Sequence, residues 1–314
     1  MSDALVEAER VVKRYGTVCA VDDVSFTIDA GETLALVGES GSGKSTLGRL
    51  VLGLEAPTGG RCRVEGDDLA TLPAKALRAR RRRMQLVPQD PAAALDPRRT
   101  IGASVAEGLV IHRLAAGEAR RRRVAALLEE VGLDPALAER YPHECSGGQR
   151  QRACLARALA VEPVFLVLDE PVTALDVSVQ AQVLALLADL QRRRGLAYLF
   201  IAHDLAVARQ LAARVAVLLR GRVCEEGPAE AVLGRPRHPY TRALRSAVPA
   251  PVPGAARERI LLRDEPPGRA LPAGCRFAGR CWHPAADGSC RDEAPPLRAH
   301  EGRRAACHHL EDPR

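Results

Sequence analysis

The 314-residue sequence predicts an α/β fold: a parallel β-sheet with crossover helices, interrupted by a helical insertion and followed by a Pro/Cys-rich C-terminal extension. Three observations carry this reading. Short apolar runs alternate with Gly-rich turns up to about residue 90, and the alternation returns over residues 161–235. Between them, over about residues 91–160, the apolar residues take helical spacing. From residue 249 the composition changes: this tail holds ten of the 22 prolines, four of the nine cysteines and four of the eight histidines.

The elements follow in order. Residues 11–12, 24–28 and 33–37 read as strands, short and apolar between turn residues. Residues 46–54 read as a helix, as do 105–114 and 120–131 in the insertion. Residues 165–168 and 197–201 are unbroken apolar runs, as expected of strands buried on both faces, with an apolar helix over 177–190 between them. Prolines 249, 251 and 253 read as a stiff linker between a domain at 1–248 and an extension at 249–314.

Composition excludes several classes. Hydrophobic residues make up 46%, too many for a disordered chain, and aromatics only 3%, too few for a base-stacking platform. The net charge of +7 comes from 46 Lys+Arg against 39 Asp+Glu, and 43 of the basic residues are Arg, as a GC-rich genome would give. The Arg runs at 78–83 and 120–123 read as solvated helix faces, so no nucleic-acid partner is expected. No apolar run reaches the ~18 residues of a membrane span. The acidic first ten residues lack the basic-then-apolar order of a secretory signal. A cytosolic chain with reduced thiols is the expectation.

Gly38-Glu39-Ser40-Gly41-Ser42-Gly43-Lys44-Ser45 matches G-x-x-x-x-G-K-[ST], with a strand leading in and a helix, opened by Thr46, leading out. Glycines let backbone N–H groups turn inward around phosphate oxygens, and the helix N-terminus adds a favourable dipole. Lys44 would meet the β- and γ-phosphates, and the Ser45 hydroxyl would meet Mg²⁺. A second acidic site follows the strand at 165–168. Asp169 would hold Mg²⁺ and Glu170 would position and polarise the attacking water.

Cys145-Ser146-Gly147-Gly148-Gln149 resembles the LSGGQ signature of ABC-transporter ATPases, with Cys145 where Leu is usual. Other marks of that family fall in order. Tyr15 sits where an aromatic stacks on adenine, Gln89 resembles the Q-loop glutamine that also reaches Mg²⁺, Ala174-Leu175-Asp176 resembles the D-loop, and His203 resembles the switch histidine. The resemblance implies a P-loop NTPase (RecA-like) core with an antiparallel β subdomain, an inserted helical subdomain and the C-terminal extension. It implies ATP hydrolysis with Mg²⁺, catalysed by Glu170, His203 and Gln89. It also implies a head-to-tail pair of ATPase domains in which Ser146, Gly147, Gly148, Gln149 and Asp176 act on the partner's nucleotide.

The stretches Gly38-Glu39-Ser40-Gly41, Tyr141-Pro142-His143-Glu144, Leu175-Asp176-Val177-Ser178-Val179-Gln180 and residues 89–98 resemble the oligopeptide/dipeptide/nickel importer branch, more nearly its second (F-type) ATPase subunit. Members of this branch work with two membrane permeases, a second ATPase subunit and an extracytoplasmic solute-binding protein, on the cytoplasmic face of the membrane. The substrate implied is a di- or oligopeptide; nickel or another small solute is the alternative. A soluble ABC ATPase acting on DNA or ribosomes is a more distant one. Cys275, Cys281, Cys290 and Cys307 are a thiolate set that suits iron–sulfur or zinc chemistry. The resemblance extends to them and implies a [4Fe–4S] cluster, with Zn as the alternative. Cys19, Cys62, Cys145, Cys154 and Cys224 are scattered and read mostly as buried small hydrophobes.

Overall fold

The computed structural model describes residues 4–173, 175–247, 260–262, 273–285 and 287–310. Ala174 of the expected D-loop and the prolines at 249, 251 and 253 lie outside the described residues. The chain opens with strands β1 (Val6–Tyr15), β2 (Val18–Ile28) and β3 (Thr33–Val37), then helix α1 (Lys44–Val51). Strands β4 (Gly59–Val64) and β5 (Asp67–Asp68), helix α2 (Ala74–Arg83) and strand β6 (Met84–Val87) follow. The insertion holds α3 (Pro91–Ala94), α4 (Ile101–Ile111), α5 (Gly117–Glu130) and α6 (Gly147–Leu159). Alternation then resumes with β7 (Phe165–Asp169), α7 (Val177–Arg194), β8 (Ala197–Ala202), α8 (Leu205–Leu211), β9 (Arg214–Leu219) and β10 (Arg222–Pro228). The remaining elements are α9 (Ala229–Gly234), α10 (Pro239–Ser246), α11 (Ser289–Asp292), β11 (Arg298–His300) and β12 (Arg303–Ala305).

Two sheets result. The smaller, in the order β2-β1-β4-β5, is antiparallel. The larger runs β11-β12-β10-β9-β3-β8-β7-β6. Its strands β9, β3, β8, β7 and β6 are mutually parallel, and β10, β12 and β11 close the far edge antiparallel. The tail therefore adds two strands to the main sheet.

Alternate residues of each central strand enter two different cores, as the period-2 geometry of a strand requires. Leu34, Leu36, Phe165, Val167, Leu199 and Ile201 pack with α1 and the antiparallel sheet. Ala35, Val37, Leu166, Leu168, Tyr198 and Phe200 pack with the helices of the insertion and with α7 to α9. Both faces are dry, which explains the unbroken apolar runs. No helix among the described residues is long and apolar enough to cross a membrane.

Several boundaries depart from the sequence expectation because caps set them. The loop glycine Gly43, at φ +106°, starts α1 at Lys44 rather than Thr46. Thr100 accepts a hydrogen bond from the Ala103 N–H and starts α4 at Ile101 rather than residue 105. Helix α7 outlasts its apolar period and ends at Gly195, φ +64°. Its last turn is fastened by Arg192 and Arg193 to Asp189 and by Arg194 to Glu130. In α2, Arg80 and Arg83 pair with Glu65, Arg81 donates to the Gly53 carbonyl and Arg82 to the Val161 carbonyl.

Candidate active site

Four parallel strands deliver the site. In register, Val37 of β3 lies beside Ala202 of β8, Asp169 of β7 beside Ile201, and Leu168 beside Val87 of β6. The residues just beyond these ends are the phosphate loop, Glu170, His203 and Gln89. They share the carboxyl edge of one sheet, where open α/β folds bind ligands.

The phosphate loop is sterically specified. A Cβ on Gly43 would stand 2.2 Å from the Ala20 carbonyl oxygen, and at φ +106° the backbone there is one only glycine adopts without strain. Lys44 is 5% exposed, and its ammonium donates to the carbonyls of Gly38 (2.7 Å) and Glu39 (2.9 Å). Burial pulls the Lys44 pKa down, while Glu170, Asp169 and Glu39 raise it. The Ser42 hydroxyl is buried and has no hydrogen-bond partner among the described residues. An orphaned buried donor in a ring of turned-in backbone fits a phosphate ligand. Gly41, at φ +76°, and Ser40 complete the loop.

The Ser45 hydroxyl donates to Asp169 Oδ1 at 3.0 Å. Burial lifts the Asp169 pKa, opposed by the Ser45 hydrogen bond. Hydroxyl and carboxylate side by side are hard oxygen donors of the kind Mg²⁺ takes, usually alongside substrate phosphates.

Glu170 leaves the strand end in left-handed backbone, φ +46°, uncommon for a residue with a Cβ. Its Oε2 accepts from Gln89 Nε2 (3.1 Å) and Thr173 Oγ1 (3.2 Å) and lies 3.2 Å from His203 Nδ1. Three of the expected residues thus meet at one oxygen, and Thr173 joins them without having been expected. Gln89 is turned to Glu170 here.

Tyr15, at the end of β1, is 45% exposed. Its hydroxyl bonds Glu55, which raises the phenol pKa, and also Thr46 of α1. The Lys13 ammonium lies 5.0 Å from the ring centroid. The ring therefore stands beside the helix that the phosphate loop opens.

The signature is elsewhere. Ser146 caps α6 by accepting from the Gln149 N–H (3.2 Å), and Gln149 Oε1 accepts from the Ser146 N–H (2.8 Å). These bonds do not reach the phosphate loop. Ser146, Gly148 and Gln149 instead border an open cavity of about 540 Å³ shared with Arg140, Arg152 and Val179. Gly147 and Gly148 pack on Leu175 and Val179, and Asp176 caps α7 through the Val179 N–H (2.9 Å). Cys145 is 7% exposed and part of the apolar core.

The four tail cysteines are neighbours. Burial, with smaller contributions from Cys290, Cys307 and Cys281, raises the Cys275 thiol pKa to about 11. Each sulfur meets a backbone N–H: Phe277 for Cys275, His283 for Cys281, Ala285 for Cys290 and His309 for Cys307. Those donors suit thiolates. Yet among the described residues no group of three His, Cys, Asp or Glu side chains is placed to hold a metal ion. The expectation of a formed iron–sulfur or zinc site is not met in this arrangement, in which buried Cys290 and half-buried Cys275, Cys281 and Cys307 hold to the backbone.

An ABC transporter family model matches residues 21–173, and one described as "Oligopeptide/dipeptide transporter, C-terminal region" matches residues 224–290. The chain is 49% identical, over 98% of its length and 90% of the relative's, to a Sinorhizobium fredii protein named "Probable peptide ABC transporter ATP-binding protein". The chain belongs to the ABC transporter family. It is the ATP-binding, ATP-hydrolysing kind of subunit. It is also 47% identical to a di/tripeptide transport ATP-binding protein of Pseudomonas aeruginosa, covering 95% of this chain and 92% of that one. Among solved structures it resembles the ATP-binding cassette MJ0796, in a dimeric post-hydrolysis state bound to ADP and Pi: TM-score 0.66, 32% identity, 71% of this chain and 98% of that one.

In this ABC subunit, sequence reasoning missed Tyr240 and Arg280, which reach the phosphate loop from α10 and from the tail. Neither stands in a motif, and 201 and 241 residues separate them from Glu39.

Proposed function

We infer that this chain powers the import of di- or oligopeptides through an ABC transporter. The observation that carries the ATPase chemistry is the meeting of Gln89, Thr173 and His203 at one Glu170 oxygen, at the sheet edge that also bears the phosphate loop. The peptide reading draws on the names of the relatives and on the match at residues 224–290.

The phosphate-loop amides, Ser42 and Lys44 hold the nucleotide's phosphates, and Tyr15 offers its exposed ring to the adenine. Ser45, Asp169 and Gln89 are the residues that would hold Mg²⁺, which when bound would neutralise phosphate charge. Glu170 takes the proton of the attacking water, and His203 fixes the Glu170 carboxylate and senses the γ-phosphate. Ser146, Gly147, Gly148, Gln149 and Asp176 serve the nucleotide of a second ATPase subunit, most simply a heterodimeric partner, because their own bonds stay away from this chain's loop. Residues 1–248 act as the ATPase domain and 249–314 as its extension. The complex includes two permeases and an extracytoplasmic binding protein, with this subunit on the cytoplasmic face of the membrane.

For the tail, Cys275, Cys281, Cys290 and Cys307 are the residues that would hold a [4Fe–4S] cluster, the group the family resemblance implies, with zinc as the alternative. Anaerobic purification with iron, sulfide and zinc analysis decides it; a folded, metal-free tail excludes both metals. The transport reading is tested by deleting the gene and measuring uptake of labelled di- and tripeptides. Undiminished uptake, with no permease co-purifying, would overturn it.

A further inference from the structure

Among the described residues, the tail hydrogen-bonds the phosphate loop at Glu39, the loop's first variable position. All three of its polar groups are occupied. Its N–H donates to the Tyr240 hydroxyl at 2.8 Å. Its carbonyl accepts from the Lys44 ammonium at 2.9 Å and the Ser42 N–H at 3.2 Å. Its carboxylate accepts both terminal nitrogens of Arg280, at 2.8 and 2.6 Å. Arg280 is itself locked: its side chain is 11% exposed and its guanidinium lies 5.9 Å from the centroid of Phe277. Phe277, 1% exposed, is wedged against Tyr240, Trp282 and His238.

A carboxylate in a loop that binds polyphosphate is electrostatically misplaced. The charge of Glu39 is felt at Lys44, so it competes with phosphate for the same cation. A bidentate guanidinium cancels that charge and fixes the side chain. We propose that Arg280 is a positioning and charge-neutralising residue of the ATP site, through which docking of the C-terminal extension sets the phosphate loop's affinity for nucleotide. The inference rests on ATP binding at the phosphate loop and is independent of the transported solute.

The test measures Kd for Mg·ATP and for adenosine on the full-length chain, with circular dichroism and a thermal melt on each variant. Arg280→Ala raises the Kd for ATP roughly three- to tenfold, between the ranges for exposed ion pairs and charged hydrogen bonds. It leaves adenosine binding unchanged, which a merely structural lesion would not. Glu39→Gln added to Arg280→Ala removes the uncancelled charge and returns the ATP Kd to within about twofold of wild type. Glu39→Gln alone removes the negative charge beside Lys44 and leaves ATP binding as tight as in wild type or tighter, which keeps the idea testable if Arg280→Ala misfolds. An unchanged ATP Kd in Arg280→Ala, a double variant no better than the single, or weakening by Glu39→Gln alone overturns the proposal. Failure of the wild-type chain to bind ATP would instead remove the nucleotide reading itself.

Discussion

Replacing Glu170 by Gln separates chemistry from binding. The glutamate's Oε2 accepts from Gln89 at 3.1 Å and Thr173 at 3.2 Å. An amide oxygen in the same place accepts both. The left-handed backbone, φ +46°, is equally awkward for either residue and is unaffected. Stability should therefore stay within about 1 kcal/mol of wild type. The phosphate loop is untouched, so ATP affinity should also stay. What is lost is the base, since an amide cannot take a proton from water. General-base catalysis contributes about 10²–10⁴-fold, or about 2.7–5.4 kcal/mol at 1.36 kcal/mol per tenfold. ATP turnover in the assembled transporter, measured by phosphate release alongside nucleotide titration of the same protein, should fall by that factor with the Kd unchanged. Turnover within about tenfold of wild type would refute the assignment and move proton acceptance to another group.

Lys44→Ala removes the buried ammonium that spans the Gly38 and Glu39 carbonyls and should weaken ATP by more than about tenfold; unchanged affinity in a nucleotide titration would contradict the phosphate-loop reading. Phe277→Ala empties the wedge between α10 and the tail and should cost about 3–5 kcal/mol in urea unfolding, whereas a loss under about 1 kcal/mol would mean the tail is not docked as described. His238, 2% exposed, has its pKa lowered by burial to about 4 from the ordinary 6.5. The folded chain therefore holds it neutral while the unfolded chain protonates it below pH 6.5. Its contribution is intact above pH 6.5 and is lost as pH falls toward 4, by about 3 kcal/mol in all; unfolding curves at pH 7.5 and pH 5 that superimpose would exclude it.

Of the residues that converge on Glu170, Gln89 and His203 were legible in the sequence through the family motifs they stand in, each after an apolar strand, and Thr173, in no such motif, was not. The pattern of residues 165–170 carries its own geometry, since alternate side chains must enter two cores and the next residue must leave the sheet. Strands β9 and β10 were less plain. Glu225 and Glu226 sit in β10 at 0% and 6% exposure, a place where sequence reasoning expects apolar side chains. Glu225 is tolerated there because the N–H groups of Arg237 and His238 point at its carboxylate, and Glu226 because Arg304 pairs with it.

The same reasoning explains why the structural arginines could not be picked out of the Arg excess. Read along the chain, 43 arginines are background; read in space, a handful are long struts from one element to another. Arg194 reaches Glu130 from the far end of α7, Arg276 reaches Asp22 and the Arg220 carbonyl, and Arg280 reaches Glu39 across 241 residues. A guanidinium can do this because its fork matches a carboxylate bidentately and its stem packs on apolar surface. No local pattern marks such a residue, because its partner is chosen by topology. Here the topology brings the tail's strands β11 and β12 onto the edge of the main sheet and carries the segment before them to the mouth of the phosphate loop. The tail is therefore placed to act on the nucleotide site, which its composition, rich in proline and cysteine and poor in motif, gave no reason to expect.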